Sequence, residues 1–179
     1  MKLNQIGISA LRALGTAVHG KAVLAINAAT AATVKTTNAI VYAIDGIVYS
    51  KAILSAQALT TLSTPFYTQP ISTTVYYTFA LDASGNVRVV QGTYAGQSVN
   101  TGGVVTIGDG TVPDVPDASV ASVDASGNQT PATQWCPFGI LKVVTNGSTT
   151  FLPGTDALDK AGCTFTFYDV MYLSSAEKP

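Results

Sequence analysis

The chain offers few residues that could do chemistry. It holds one histidine, His19, two cysteines, Cys136 and Cys163, and ten carboxylates, of which only Glu177 is not an aspartate. A nucleophilic hydrolase needs its nucleophile beside a base, yet His19 stands in a glycine-flanked stretch far along the chain from both cysteines, and no Gly-x-Ser-x-Gly elbow occurs. His19 is therefore expected at a surface or interface. Gly15-Thr-Ala-Val-His-Gly-Lys-Ala22 comes within one residue of a phosphate-binding loop, but Ala22 stands where a hydroxyl would ligate magnesium, and no strand-then-helix pattern surrounds it. Asp109, Asp114, Asp117 and Asp124 could offer oxygen ligands to calcium. Their spacing fits no calcium loop, and beside Pro and Gly they read as turn formers. Cys136, inside Trp135-Cys-Pro-Phe138, and Cys163 have no metal-like spacing and are expected as buried free thiols. No catalytic group, cofactor or metal is expected, and the chain reads as non-enzymatic.

The elements that would position any site must be read from composition. Nine Lys and Arg and ten Asp and Glu make only 11% charged residues in 179, against about 25% in ordinary soluble domains. A compact chain of this mass exposes on the order of 8,000 Å², so each charge would serve roughly 400 Å². With 47% hydrophobic residues, disorder is excluded. Nine scattered basic residues form no dense patch for nucleic acid. A membrane span is not expected, because the longest uncharged stretch contains Gln57, Pro65, Gln69 and Pro70. Asn4, Gln5, Ser9 and Arg12 interrupt the apolar run that a secretory leader would need. Thr, Val and Asp dominate where helical proteins use Glu, Lys and Gln, which is a β composition. The fold class expected is mainly β, an antiparallel barrel or sandwich, jelly-roll-like as one option.

Charge divides the chain. Residues 1–63 balance to +4 and residues 64–179 to −5, which predicts a basic N-terminal arm over 1–35, helical or extended, joined to a β domain over 36–179. Within that domain the sequence predicts a hairpin at 40–53, a linker at 54–72, strands at 73–91, a loop region at 92–134 and strands at 137–173. Asp45-Gly46 tolerates the positive φ of a two-residue turn, which sets Ile44 opposite Ile47, Tyr42 opposite Tyr49 and Ala43 opposite Val48. Both faces of this hairpin are mostly apolar, so it is expected to be sandwiched. Val75, Tyr77, Phe79 and Leu81 share one face of a second hairpin that turns at Asp82-Ala-Ser-Gly-Asn86. The same pentapeptide at 124–128 reads as the same turn used twice. A further strand is read at Thr149–Leu152.

Four stretches carry a resemblance: Tyr42-Ala-Ile-Asp-Gly-Ile-Val-Tyr-Ser-Lys-Ala52, Phe79-Ala-Leu-Asp-Ala-Ser-Gly-Asn-Val-Arg-Val-Val-Gln-Gly92, Pro137-Phe-Gly-Ile-Leu-Lys-Val-Val-Thr-Asn-Gly-Ser148 and Pro153-Gly-Thr-Asp-Ala-Leu-Asp159. Over about residues 34–173 the chain resembles structural proteins of the tailed-bacteriophage virion. The resemblance implies a non-enzymatic part of the particle: a capsid decoration or cement protein, trimeric, made in the bacterial host cytoplasm and bound to the major capsid protein on the outer capsid surface. A tail-fibre, baseplate or glycan-binding component is the alternative it implies. The residues expected to meet partners are Arg12, Lys21 and Lys35 as electrostatic contacts, Tyr42 and Tyr49 in the oligomer core, and Phe66 and Tyr67 as aromatic anchors.

Overall fold

A computed structural model describes residues 15–59, 66–94, 98–99, 105–106, 122–123, 129–130 and 134–170. Among these residues it is mainly β, with 48% strand and no helix. The strands in chain order are β1 (Ala17–Val18), β2 (Leu24–Ile26), β3 (Thr33–Thr36), β4 (Ile40–Ile44), β5 (Ile47–Lys51), β6 (Gln57–Ala58), β7 (Thr74–Leu81), β8 (Val87–Gln91), β9 (Ser98–Val99), β10 (Val105–Thr106), β11 (Ser122–Val123), β12 (Gln129–Thr130), β13 (Cys136–Thr145) and β14 (Cys163–Asp169). All pairings are antiparallel. The main sheet runs β14-β13-β7-β8, and two three-stranded sheets run β1-β4-β5 and β2-β3-β6. Strands β9 with β10 and β11 with β12 form two-stranded pieces. Among the described residues β14 and β8 end the main sheet without closing a barrel, and the arrangement is consistent with a sandwich.

The core forms where alternate residues of the main sheet meet the two smaller sheets. Val75, Tyr77, Phe79 and Leu81 lie on one face of β7 and are fully buried, as period-2 alternation requires, alongside Val89, Leu141 and Val143 from the flanking strands. Across from them stand Val18, Leu24, Val34, Ile40, Tyr42 and Ile44, in one continuous cluster with Phe138, Phe151 and Leu158. From Gly15 on, the stretch read as an arm is therefore extended, and it contributes Val18, Ala22, Leu24 and Val34 to this core. Two details bring the layers together. Gly139 sits just past a register shift at Pro137, and a Cβ there would stand 3.0 Å from the Leu24 side chain, so glycine allows β2 to lie close against the sheet. The Asp169 carboxylate accepts from the N–H groups of Val23 (2.7 Å) and Leu24 (3.3 Å), tying β2 to the end of β14.

Both hairpin registers read from sequence are present: Ile44↔Ile47, Tyr42↔Tyr49 and Ala43↔Val48 in one, Leu81↔Val87 through Tyr77↔Gln91 in the other. The Asp82 carboxylate holds the second turn, accepting from the Ser84 and Asn86 N–H groups (2.9 and 2.8 Å) and from Asn86 Nδ2 (2.8 Å), while Gly85 takes φ +77°. The repeated pentapeptide at 124–128 lies outside the described residues. Its flanking strands pair Val123↔Gln129, the same spacing as Leu81↔Val87, which is what a reused turn requires. Two local expectations differ. Thr149–Leu152 is not a strand; Phe151 alone bridges to Gln69. The first hairpin is not sandwiched: Ile40, Tyr42 and Ile44 are buried on one face, whereas Val41 and Val48 on the other are 41% and 52% exposed, and Ile47, next to the turn, is 59% exposed.

Candidate functional site

The residues expected to meet partners separate into three groups. Arg12 lies outside the described residues. Lys21 is exposed in the turn before β2, where its carbonyl accepts from Asn38 Nδ2 (3.0 Å), and Lys35 is half-buried on β3 opposite Ala25. No acid among the described residues pairs with either side chain; the ion pair seen there is Lys160–Asp156 at 2.8 Å. Tyr42 and Tyr49 do come together, their rings stacked 5.5 Å apart. Tyr42 is only 1% exposed and its hydroxyl donates to the Asp82 carbonyl (2.7 Å), so it belongs to this chain's own core and leaves no surface for a partner. Tyr49 stays half-buried at the open side of the stack.

Phe66 and Tyr67 line a concave surface. A groove of about 750 Å³ follows the outer side of β8, lined by Phe66, Tyr67, Arg88, Val90, Gln91 and Tyr94 among others. This is within the usual size for ligand or peptide clefts. Phe66 is its floor, meeting the buried Tyr77 ring edge-on at 5.8 Å. Tyr67 is 74% exposed, yet its backbone is fixed at both polar atoms: its N–H donates to Gln91 Oε1 (2.8 Å) and its carbonyl accepts from Gln91 Nε2 (2.9 Å). Gln91 is steadied in turn by the Tyr77 hydroxyl (3.3 Å), which contacts Gln69 Oε1 at 3.5 Å. A chain of side chains thus runs from the buried centre to Tyr67, and fixes the backbone that carries this exposed ring. Arg88, at the other side of the groove, lies over the Trp135 ring, 5.6 Å from its centroid.

Sequence reasoning singled out Phe66 and Tyr67 through their Pro-flanked position, and did not single out Tyr94 or the clamp, Gln91, which line the same groove. The available signal was a glutamine ending an apolar edge strand, which is too common to single out. The rejected chemistry can also be placed. Gly15–Ala22 runs through β1 rather than forming a phosphate-cradling loop ahead of a helix, and His19 is exposed with its N–H given to the Val41 carbonyl (2.8 Å). Cys136 and Cys163 are free thiols, the first fully buried and the second half-buried; burial pushes the Cys136 thiol up to about 12 and raises that of Cys163 as well. Among the described residues no three His, Cys, Asp or Glu side chains gather as metal ligands. Asp109, Asp114, Asp117 and Asp124 lie outside them.

No protein-family model, curated protein or solved structure matches the chain.

Proposed function

We propose that the protein is a non-enzymatic structural component of a tailed-bacteriophage particle, a decoration protein that binds the major capsid protein on the outer surface of the assembled coat. The observation that carries this reading is Tyr67: a ring 74% exposed and held from its backbone by Gln91 beside an apolar groove. An aromatic side chain with two χ angles on a fixed backbone has little entropy to lose on docking, and Tyr is enriched among the residues that dominate protein interfaces. The low overall charge supports the same reading, since broad contacts with few charges require few buried partners for them. Arg12, Lys21 and Lys35 give the N-terminal part the sign that suits an acidic coat surface.

The test is occupancy on emptied capsids with the purified chain. Tyr67→Ala and Gln91→Leu each lower occupancy, the second by releasing the Tyr67 backbone, and charge reversal at Arg12, Lys21 and Lys35 lowers it further in a salt-dependent way. A chain that does not bind capsids refutes the proposal. A second reading, a fibre or receptor-binding component, draws on the same groove, because Tyr67, Tyr94 and Arg88 could stack and hydrogen-bond a sugar ring. Binding to cells or glycans in place of capsids selects it.

A further inference from the structure

Among the described residues strand β5 is paired along one side only, and the ladder tells which of its backbone groups face the open side. The His19 N–H donates to the Val41 carbonyl (2.8 Å), so Val41 and Ala43 point their backbone groups at β1, and Ile40, Tyr42 and Ile44 point theirs at β5. Their partners Lys51, Tyr49 and Ile47 are thereby satisfied. Val48 and Ser50 direct N–H and C=O outward, and both residues are exposed, Val48 by 52%. Natural edges of this kind are blunted by charge, proline or a bulge. Ile47-Val-Tyr-Ser50 carries neither charge nor proline, and its register with β4 runs without a break.

We propose that β5 pairs antiparallel with β5 of a second copy, about a two-fold axis at Tyr49, giving a continuous six-stranded sheet. In this register Val48 faces Ser50 of the second copy and Ser50 faces its Val48, so that all the outward N–H and C=O groups of both residues are used. Tyr49 meets its own counterpart as a non-hydrogen-bonded pair, the closer of the two antiparallel spacings at about 4.5 Å between Cα atoms. The Tyr42–Tyr49 stack, at 5.5 Å, then continues across the axis as a row of four rings. A cavity of about 520 Å³ lined by Tyr49, Lys51, Ile53 and Ser84 leaves room beside Tyr49 on that face. Charge fits as well. Lys51, the charged end of the strand, falls opposite Ile47 of the second copy, where its alkyl stem covers a residue 59% exposed. The two Lys51 residues end about 13 Å apart along the strands, beyond the screening length at physiological salt. Hydrogen-bond phase, tyrosine pairing and charge are self-complementary in one register, which is why the occupant is this chain and not a foreign strand. A two-fold contact builds even-numbered assemblies, in contrast to the trimer that the phage resemblance implies, and it does not depend on the capsid reading.

Sedimentation or light scattering of the full chain over a concentration series tests the pairing. A concentration-dependent dimer is expected. Val48→Pro removes an N–H that makes no bond to the described residues of its own copy but, counted over both copies, two of the four across the axis, and Val48→Lys places charge on the edge; each raises the dimer Kd at least tenfold while circular dichroism keeps its β signal. If the proline variant unfolds, the lysine variant decides. A monomer at every concentration, a trimer, or a dimer whose Kd neither substitution moves would overturn the proposal.

Discussion

Gln69 is a fully buried polar side chain whose replacement should make stability depend on pH in a calculable way. Its Nε2 donates to the carbonyls of Thr73 and Val143, both at 3.0 Å, and its backbone exchanges two hydrogen bonds with Phe151 (2.8 and 3.1 Å). Gln69→Glu keeps the shape but puts an oxygen where those two carbonyls need a donor. No cation among the described residues is positioned there, so the folded protein takes the carboxyl protonated, and a fully buried Glu of this kind titrates near pH 8–9 against about 4.3 when unfolded. The folded pKa is the raised one, so between those values the native state holds the extra proton and stability falls as pH rises, by about 1.4 kcal/mol per unit. From pH 4.5 to 7 the loss accumulates to about 3 kcal/mol, a large part of a typical total of about 5–15 kcal/mol. Gln69→Leu loses both donated bonds at every pH, about 2 kcal/mol, less whatever the apolar replacement regains. Urea unfolding at pH 4.5, 5.5 and 7.0, each variant against the native chain, measures the two differences. A Gln69→Glu penalty that stays flat across this range would refute the reasoning, since it would mean that the carboxylate finds solvent or a cation.

Three further outcomes follow from local geometry. Val23 holds φ 53°, costly for a β-branched residue, and is kept there by Asp169; Val23→Gly should raise stability by about 1 kcal/mol, whereas Asp169→Ala should lower it by about 1–2 kcal/mol, both read by thermal unfolding. In thiol labelling at pH 8, half-buried Cys163 should react first and Cys136, pushed up to about 12 by burial, only after unfolding. Partial desolvation raises Asp156, but the hydrogen bonds from Lys160 and the Leu152 N–H outweigh it and leave the carboxyl below its usual range. Its contribution is therefore present above the unfolded carboxylate pKa and is lost as pH falls through the folded one, so Asp156→Asn should matter near neutrality and cease to matter in acid, as urea titrations at the two pH values would show.

How much was legible in the sequence depended on contact range. Asp45-Gly46 and Asp82–Asn86 specify their turns within a few residues, and once a turn is set, alternation fixes every pair along the two strands, which is why Tyr42↔Tyr49 and Leu81↔Val87 could be written down in advance. The aromatic pair Phe66 and Tyr67 was legible because prolines frame it. Gln91 was not, since its partners lie 24 residues away at Tyr67 and 14 away at Tyr77.

The sequence alone therefore determined the β class, the local hairpins and the scarcity of charge, all properties of composition and of chain neighbours. Tertiary structure decided that residues 15–35 supply one layer of the core, that Tyr42 is spent inside the chain while Tyr67 is presented outside it, and that the apolar hairpin is covered on one side and open along β5. Those outcomes turn on which sheet packs over which. An alternating strand specifies only that one of its faces must be buried; what buries it, and which edge is left without a neighbour, is settled by contacts between residues far apart in the chain.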